Sequence, residues 1–142
     1  MSTVNMIETI KKIHKEDIVL VKVGTFYTAY GKDAYIISYI FGYKLNKIQG
    51  IDSAAFPITS LNKVIAILEK NKVNYITLDK RNGYDVEEQS ENKNLNNYNK
   101  ILKKAKTEIN YYKRIEKVVE ELKEDKELLS EVEKLMYERR KI

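Results

Sequence analysis

The chain has 142 residues, a net charge of +5, one histidine and no cysteine. This length fits one domain with an extension, and the lack of cysteine excludes disulfides and thiolate metal sites. No stretch resembles a signal peptide or approaches the ~20 apolar residues of a membrane span, so we expect a cytoplasmic protein without membrane contact. The modest basic surplus permits a polyanionic partner without requiring one.

The first eighty residues predict alternating helices and strands. Apolar residues at helical spacing predict a helix over 3–14, and an apolar β-branched run predicts a buried strand over 18–23. The pattern continues with a strand over 26–30, a helix over 32–41, strands over 43–48 and 53–58, a helix over 61–71 and a strand over 73–78. This order predicts an α/β (α+β) domain with a mixed β-sheet and flanking helices.

The composition changes after residue 80. Residues 81–97 are polar and predict a linker. Beyond it, an apolar stripe that starts at Tyr98 predicts a long helix, and Asp125 is placed to cap a shorter one, as a helical hairpin or a bent long helix. We therefore predict three parts: a domain at 1–80, a linker at 81–97 and a helical extension at 98–142.

Two features of the helical extension bear on partners. Its apolar stripe predicts packing on the sheet domain, on the other helix, or on a second chain, either a homodimer or a different partner protein. Its first turns carry a cluster of lysines, namely Lys100, Lys103, Lys104 and Lys106. This cluster is either a solvated helix face or a row of contacts to nucleic-acid phosphates.

Sequence patterns of catalysis and cofactor binding are missing. His14 stands at a helix end beside lysines, which favours a surface or capping role. Neither the GxxxxGK[ST] phosphate loop nor GxSxG occurs, and one histidine without cysteine gives no zinc-ligand spacing. We expect a protein that is not an enzyme and that uses no metal or other cofactor.

The stretch after the first buried strand permits two interpretations. Val23 is followed by Gly24 and then by the adjacent aromatic residues Phe26 and Tyr27. In an ordinary hairpin strand, the two rings alternate between the faces. Alternatively, the glycine presents Phe26 as a flat ring that stacks on a base or inserts between base pairs.

The same stretch resembles the N-terminal mismatch-recognition domain of MutS, the DNA mismatch-repair protein. That family has the signature (R)MGDFYELF, followed by an acidic pair and alanine. Residues 22–30, KVGTFYTAY, fall on this signature without a gap, and Asp33-Ala34 follows at the family's spacing. A proline-containing strand at 54–58, a helix at 61–71 and a strand at 73–79 extend the resemblance to about residue 80, whereas 95–142 has no counterpart.

The resemblance implies roles for four residues. In the family, the signature Phe enters the minor groove and stacks on the mispaired base, and the Glu two positions later hydrogen-bonds that base. Carried over, Phe26 is the wedge, Gly24 the turn that presents it, and Lys22 a phosphate contact. Thr28 stands at the Glu position and Thr25 at the Asp position, and the loss of these two negative charges favours general DNA affinity over discrimination.

The resemblance also implies a function. We expect a stand-alone, non-catalytic module that binds mismatched or distorted double-stranded DNA, and thus a link to DNA mismatch repair. It would lack the connector, lever, clamp and ATPase domains of the complete repair protein. The alternative is a protein–protein adaptor, with a polymerase, a reverse transcriptase or a mobile-element protein as partner, that kept the fold and lost mismatch recognition.

Overall fold

The computed structural model describes residues 2–90 and 96–141. Within these residues, five α-helices and six β-strands follow one another in an order close to the predicted one. They are α1 (Thr3–Ile13), β1 (Ile18–Val23), β2 (Phe26–Tyr30), α2 (Lys32–Phe41), β3 (Asn46–Ile48), β4 (Ile51–Pro57), α3 (Leu61–Lys70), β5 (Tyr75–Asp79), β6 (Asp85–Gln89), α4 (Tyr98–Glu124) and α5 (Lys126–Arg140).

The strands form one mixed sheet in the order β3-β4-β2-β1-β5-β6. The strands β1 and β5 are parallel, and the other neighbouring strands are antiparallel. β1 lies near the centre and is buried from Ile18 to Val21, as its β-branched sequence predicts. The predicted α+β architecture, a mixed sheet with flanking helices, is confirmed.

Helices cover both faces of the sheet. Ile7 of α1 packs on one face against a small apolar cluster that includes Val21 and Tyr30. The helices α2, α3 and the first turns of α4 pack on the other face, around a larger cluster that includes Leu20 and Phe56. Because successive strand residues point to opposite faces, every residue of β2 belongs to one of these two surfaces.

The stretch predicted to be a linker contains a strand. β6 pairs antiparallel with β5 at the edge of the sheet. All five of its side chains are exposed, so it lacks the apolar alternation by which a strand is recognised in a sequence. Backbone hydrogen bonds hold it instead, and the Ser90 hydroxyl accepts a hydrogen bond from the Tyr75 amide at 3.2 Å just beyond its end.

The chain divides into two compact units, residues 1–106 and 107–142. The first unit contains the sheet, α1 to α3 and the first turns of α4, because Tyr98, Ile101 and Leu102 are part of the larger core cluster. Its limit differs from the boundary at residue 80 that we predicted. The domain limits predicted from the sequence, residues 1–80, stay a prediction. A domain that ended at residue 80 would, however, lack the α4 residues of this core.

The second unit contains the remainder of α4 and all of α5. Asp125 separates the two helices with a non-helical backbone, and its carboxylate accepts the Leu128 amide hydrogen bond at 2.9 Å, as a helix N-cap does. Within the described residues, α5 does not fold back along α4, since nearly all side chains of α5 and of residues 110–124 are exposed. The predicted pair of C-terminal helices is therefore present, joined by a single residue.

Candidate nucleic-acid interface

A two-residue loop joins β1 to β2. Val23 pairs with Phe26, so Gly24 and Thr25 alone make the turn. Gly24 has φ +62°, a left-handed value that costs other residues about 1–2 kcal/mol, whereas Thr25 has no positive φ. Glycine at the first loop position is the requirement of a type II′ hairpin turn. The Thr25 carbonyl accepts a hydrogen bond from the Ile58 amide at 3.0 Å, which fixes the loop to the end of β4.

Phe26 is the first residue of β2 and is 48% exposed. It pairs with Val23 on one side and with Pro57 on the other, and its side chain points to the face of the sheet that α1 covers further along. Ala55 and Pro57 on β4 are also exposed around it. The hairpin end therefore presents an accessible aromatic ring within a small apolar surface.

The opposite face of the hairpin is anchored by aromatic stacking. Tyr27 is buried and stacks on Phe56 with a centroid distance of 5.9 Å. Phe56 stacks in turn on Tyr43, and Tyr43 on Phe41, each pair at 5.7 Å. We call these four rings the aromatic ladder. No local sequence pattern indicates this ladder, because its members come from three separate segments. The ladder holds β2 in place beneath the exposed Phe26.

Thr28 shares a face with Phe26 but is only 6% exposed. It lies between Val21 and Ala55 on the neighbouring strands. Burial raises the pKa of the nearby Tyr30 hydroxyl, Tyr84 adds to this rise, and a hydrogen bond from Thr28 opposes it. Little of the Thr28 surface is therefore open to a ligand.

Basic side chains gather at the end of the sheet where the hairpin loop joins β1 to β2. We call this end of the strands the hairpin edge. Lys22 is half-buried and lies opposite Tyr27 and Asp79, so it points to the face away from Phe26. Since β5 runs parallel to β1, the exposed Lys80 and Arg81 that follow Asp79 come to this same edge. No local sequence pattern indicates either residue as part of the site, because only the pairing of β5 with β1 places them near the hairpin.

The lysines of α4 lie elsewhere. α4 begins where the Asn97 amide donates to the Lys72 carbonyl at 2.8 Å, near the start of β5. β1 and β5 extend from there to the hairpin edge, a span of about 15–20 Å at ~3.3 Å per residue. The first turns of α4 also pack on the face opposite Phe26. Lys100, Lys103, Lys104 and Lys106 are exposed, but the structure does not bring them to the Phe26 side chain.

A buried carboxylate lies at that distant end of the sheet. Asp33 accepts hydrogen bonds from the Lys11 ammonium at 3.0 Å, the Val19 amide at 3.0 Å and the Tyr98 hydroxyl at 2.6 Å. Burial raises the pKa of Asp33, and these three donors oppose the rise. Burial also raises the pKa of Tyr98, to which the neighbouring Asp33 adds.

A cleft of about 920 Å³ opens beside this cluster, between α1, the start of α2 and the start of α4. Lys11 and Tyr98 line it, but their polar groups face Asp33. Among the described residues, no buried side-chain nitrogen or oxygen lacks a hydrogen-bond partner. The Asp33 cluster therefore connects α1, α2 and α4 through hydrogen bonds, and none of its described polar groups is left unpaired for a ligand.

The part of the chain that the structure describes, residues 2–90 and 96–141, contains neither of two further kinds of feature. No group of three or more His, Cys, Asp or Glu side chains is arranged to hold a metal ion there. No helix in those same ranges combines the length and apolar character needed to cross a bilayer.

Comparison with known proteins gives one result that covers most of the first unit. The family model described as MutS domain I matches residues 3–109, from the start of α1 to just past the third turn of α4. A search of curated proteins found no match to the chain. The matched range is three quarters of the chain and includes both the hairpin and the aromatic ladder.

Proposed function

The chain belongs to the MutS domain I family, and we propose from this premise that it is a DNA-binding module that engages mismatched or distorted duplexes with the β1–β2 hairpin. The observation that carries the proposal is the 48% exposure of Phe26 at the end of an anchored hairpin. An exposed aromatic ring on a buried support is suited to insertion between base steps, where it partly unstacks and kinks the duplex.

The hairpin edge supplies the charge that such a contact needs. Lys80 and Arg81 lie at this edge and are the proposed phosphate contacts, because cations placed against a nucleic-acid backbone release its counterions. Lys22, which the family resemblance suggests as a phosphate contact, points to the face away from Phe26 and is not included. By strand register, Asp85 and Glu88 of β6 lie on the side of the sheet opposite Phe26. The Phe26 face can therefore approach the minor groove without those acids between it and the phosphates.

The proposed binding discriminates weakly between mismatched and perfect duplexes. The family's glutamate position holds Thr28, which is almost fully buried. Selectivity then rests on the ease with which a mismatched or bulged step opens to the ring, since flexible steps cost less to deform. We propose a non-catalytic role in DNA mismatch recognition on this basis.

The decisive experiment compares Phe26→Ala with Val86→Ala. Both residues are 48% exposed and, by register, lie on the same face of the sheet, but Val86 is on β6 and outside the hairpin. Stacking of one base on an aromatic side chain contributes about 1–3 kcal/mol. Phe26→Ala should therefore weaken binding to a mismatched or bulged duplex about 5- to 150-fold, measured by fluorescence anisotropy, whereas Val86→Ala should leave it unchanged.

Two outcomes would contradict this assignment. If both variants bind as tightly as the parent protein, Phe26 is not a wedge. If the parent protein binds matched, mismatched, bulged and single-stranded DNA equally poorly and without dependence on salt, the adaptor hypothesis is favoured, because a phosphate-binding protein loses affinity steeply as salt rises.

A second prediction locates the phosphate contacts. The variant Lys80→Glu/Arg81→Glu should weaken binding to all duplexes alike and make the salt dependence shallower, because each lost phosphate contact lowers the slope by about one. The matched control, Lys104→Glu/Lys106→Glu, makes the same charge change on α4. A larger loss in the α4 variant would move the phosphate contacts to that helix.

A further inference from the structure

The turn that leads from α3 into β5 and the start of α4 form one corner of the sheet domain. The Asn97 amide donates to the Lys72 carbonyl at 2.8 Å, and the Asn97 side-chain amide donates to the Asn71 carbonyl at 3.0 Å. Val73 and Tyr98, the next residues of these two segments, are both buried in the larger core cluster. The two segments are therefore held side by side.

This corner is strongly basic. Residues 96–106 contain four lysines, all exposed, and no acidic residue. Two further exposed lysines lie at the end of α3 and in the turn after it. We call these six side chains the distal corner, namely Lys70, Lys72, Lys100, Lys103, Lys104 and Lys106. The acidic residue beside them on α3, Glu69, accepts a hydrogen bond from the Tyr75 hydroxyl at 3.4 Å, so a surplus of positive charge remains.

Lys72 has a backbone conformation that favours glycine. Its φ is +60°, in the left-handed region that other residues adopt only at a steric cost. It follows Asn71, the C-cap of α3, at the helix position where glycine is the most common residue. The chain therefore places a cation where the backbone alone would favour glycine, which is evidence that the ammonium group of Lys72 has a role of its own.

The distal corner is separated from the hairpin edge by the length of the sheet. The Ile18 amide donates to the Asn74 carbonyl at 2.8 Å, so the corner lies where β1 and β5 begin, whereas the hairpin lies where β1 ends. The strands span about 15–20 Å between the two at ~3.3 Å per residue. DNA has a persistence length of about 50 nm, so a short duplex that receives Phe26 cannot turn back to the corner. The distal corner therefore requires a separate ligand.

We propose that the distal corner binds the phosphate backbone of a second DNA duplex, so that one molecule of the protein bridges two duplexes. The inference rests on the proposed function, in which the hairpin holds the first duplex. Clustered lysines select a polyanion, because they release counterions from its backbone, and duplex DNA is the polyanion that the proposed function already brings to the protein. Phosphate contacts carry no sequence information, so the corner binds matched and mismatched duplexes alike.

A capture experiment with the full chain tests the bridge. A mismatched duplex of about 20 base pairs is immobilised on beads, loaded with protein, and offered a labelled matched duplex of the same length at about 50 mM salt. The parent protein should capture the labelled duplex. The variant Lys72→Gly/Lys104→Gln should need about 10- to 100-fold more of it for half-maximal capture, because each lost phosphate contact weakens binding about tenfold at low salt.

Two control variants separate the lost charge from a change in the backbone. Gln49→Gly introduces glycine at another exposed position with positive φ, and Lys12→Gln removes an exposed cation from α1, on the other face of the sheet. Both should capture the second duplex as the parent protein does. Because glycine suits the backbone at position 72, Lys72→Gly should melt no lower than the parent protein, so its loss of capture does not come from unfolding.

Three outcomes would overturn the bridge. The first is equal capture by the parent protein and by Lys72→Gly/Lys104→Gln. The second is a parent protein that stays on the beads with the first duplex and captures no second one, a result that leaves the hairpin assignment intact. The third is displacement of the labelled duplex by polyglutamate more readily than by unlabelled duplex, which would make an acidic protein segment the ligand of the corner.

A separate measurement decides the case in which the beads retain no protein and the hairpin assignment fails. Binding of a matched duplex to Phe26→Ala is followed by fluorescence anisotropy, with and without Lys72→Gly/Lys104→Gln. The two added substitutions should weaken this binding about 10- to 100-fold. Unchanged binding would show that the distal corner does not contact DNA.

Discussion

At the scale of single residues, the candidate functional side chains differ widely in solvent exposure. Phe26 and Thr28 are two positions apart on one face of β2, yet one is 48% and the other 6% exposed. The difference arises because Phe26 lies at the strand end beside the open loop, whereas Thr28 lies between two neighbouring strands. An accessible wedge at position 26 is compatible with the predicted role, which stays a prediction.

Asp33 gives a prediction about pH. Burial raises its pKa above the ordinary value of 3.8 in the unfolded chain, so the folded state binds this proton more tightly. The resulting stability is present below pH 3.8 and is lost as pH rises through the folded-state pKa. The side chain in Asp33→Asn stays neutral at all pH values. The thermal stability of this variant relative to the parent protein should therefore increase as pH rises from about 4 to 8, measured by thermal denaturation.

Asp85→Asn is the matched control for the Asp33 measurement, since Asp85 is exposed on β6. Its stability relative to the parent should change little over the same pH range. If the thermal stability of the parent protein instead increases relative to that of Asp33→Asn as pH rises, the Lys11 ion pair outweighs the cost of burying the Asp33 carboxylate.

At the level of elements, strongly periodic segments were predicted well and the edge strand was not. The apolar stripe of α1 and the β-branched run of β1 are local sequence patterns, because apolar residues recur at the positions that are buried in the fold. β6 carries no such pattern, because an edge strand with both faces exposed is selected only by backbone pairing. No property of residues 85–89 taken alone distinguishes them from a loop.

The cap of α5 gives a prediction at this scale. Asp125→Ala removes the acceptor of the Leu128 amide and should destabilise α5 by about 0.5–2 kcal/mol. Hydrogen exchange should show faster exchange in the first turn of α5, with the sheet unaffected. Asp125→Asn keeps a capping oxygen and should exchange like the parent. Equal exchange in the alanine variant would mean that the cap contributes nothing to the helix.

At the scale of the whole molecule, the structure predicts how much of the chain is needed for the sheet domain to fold. Tyr98 is 2% exposed and its hydroxyl donates to Asp33, so the first turns of α4 complete the core of the sheet. A chain that ends after Lys106 should therefore keep a cooperative thermal transition. A chain that ends after Lys80 should lose it, because it lacks β6 and exposes the surface under Tyr98.

Circular dichroism melting curves of the two fragments, beside the full chain, provide this measurement. The fragment 1–80 matches the domain predicted from the sequence, and 1–106 matches the compact unit in the structure. Cooperative unfolding of 1–80 with the stability of 1–106 would show that the shorter domain is complete.

The sequence by itself determined the helices, most of the strands and the position of the glycine turn before Phe26. These features follow from local periodicity and from backbone restrictions that act within a few residues. Only the tertiary structure decided that Thr28 is buried, that Lys80 and Arg81 join the hairpin edge, and that the α4 lysines lie at the other end of the sheet. Those outcomes depend on strand order and on helix packing, which bring together residues far apart in the chain and leave no local signal.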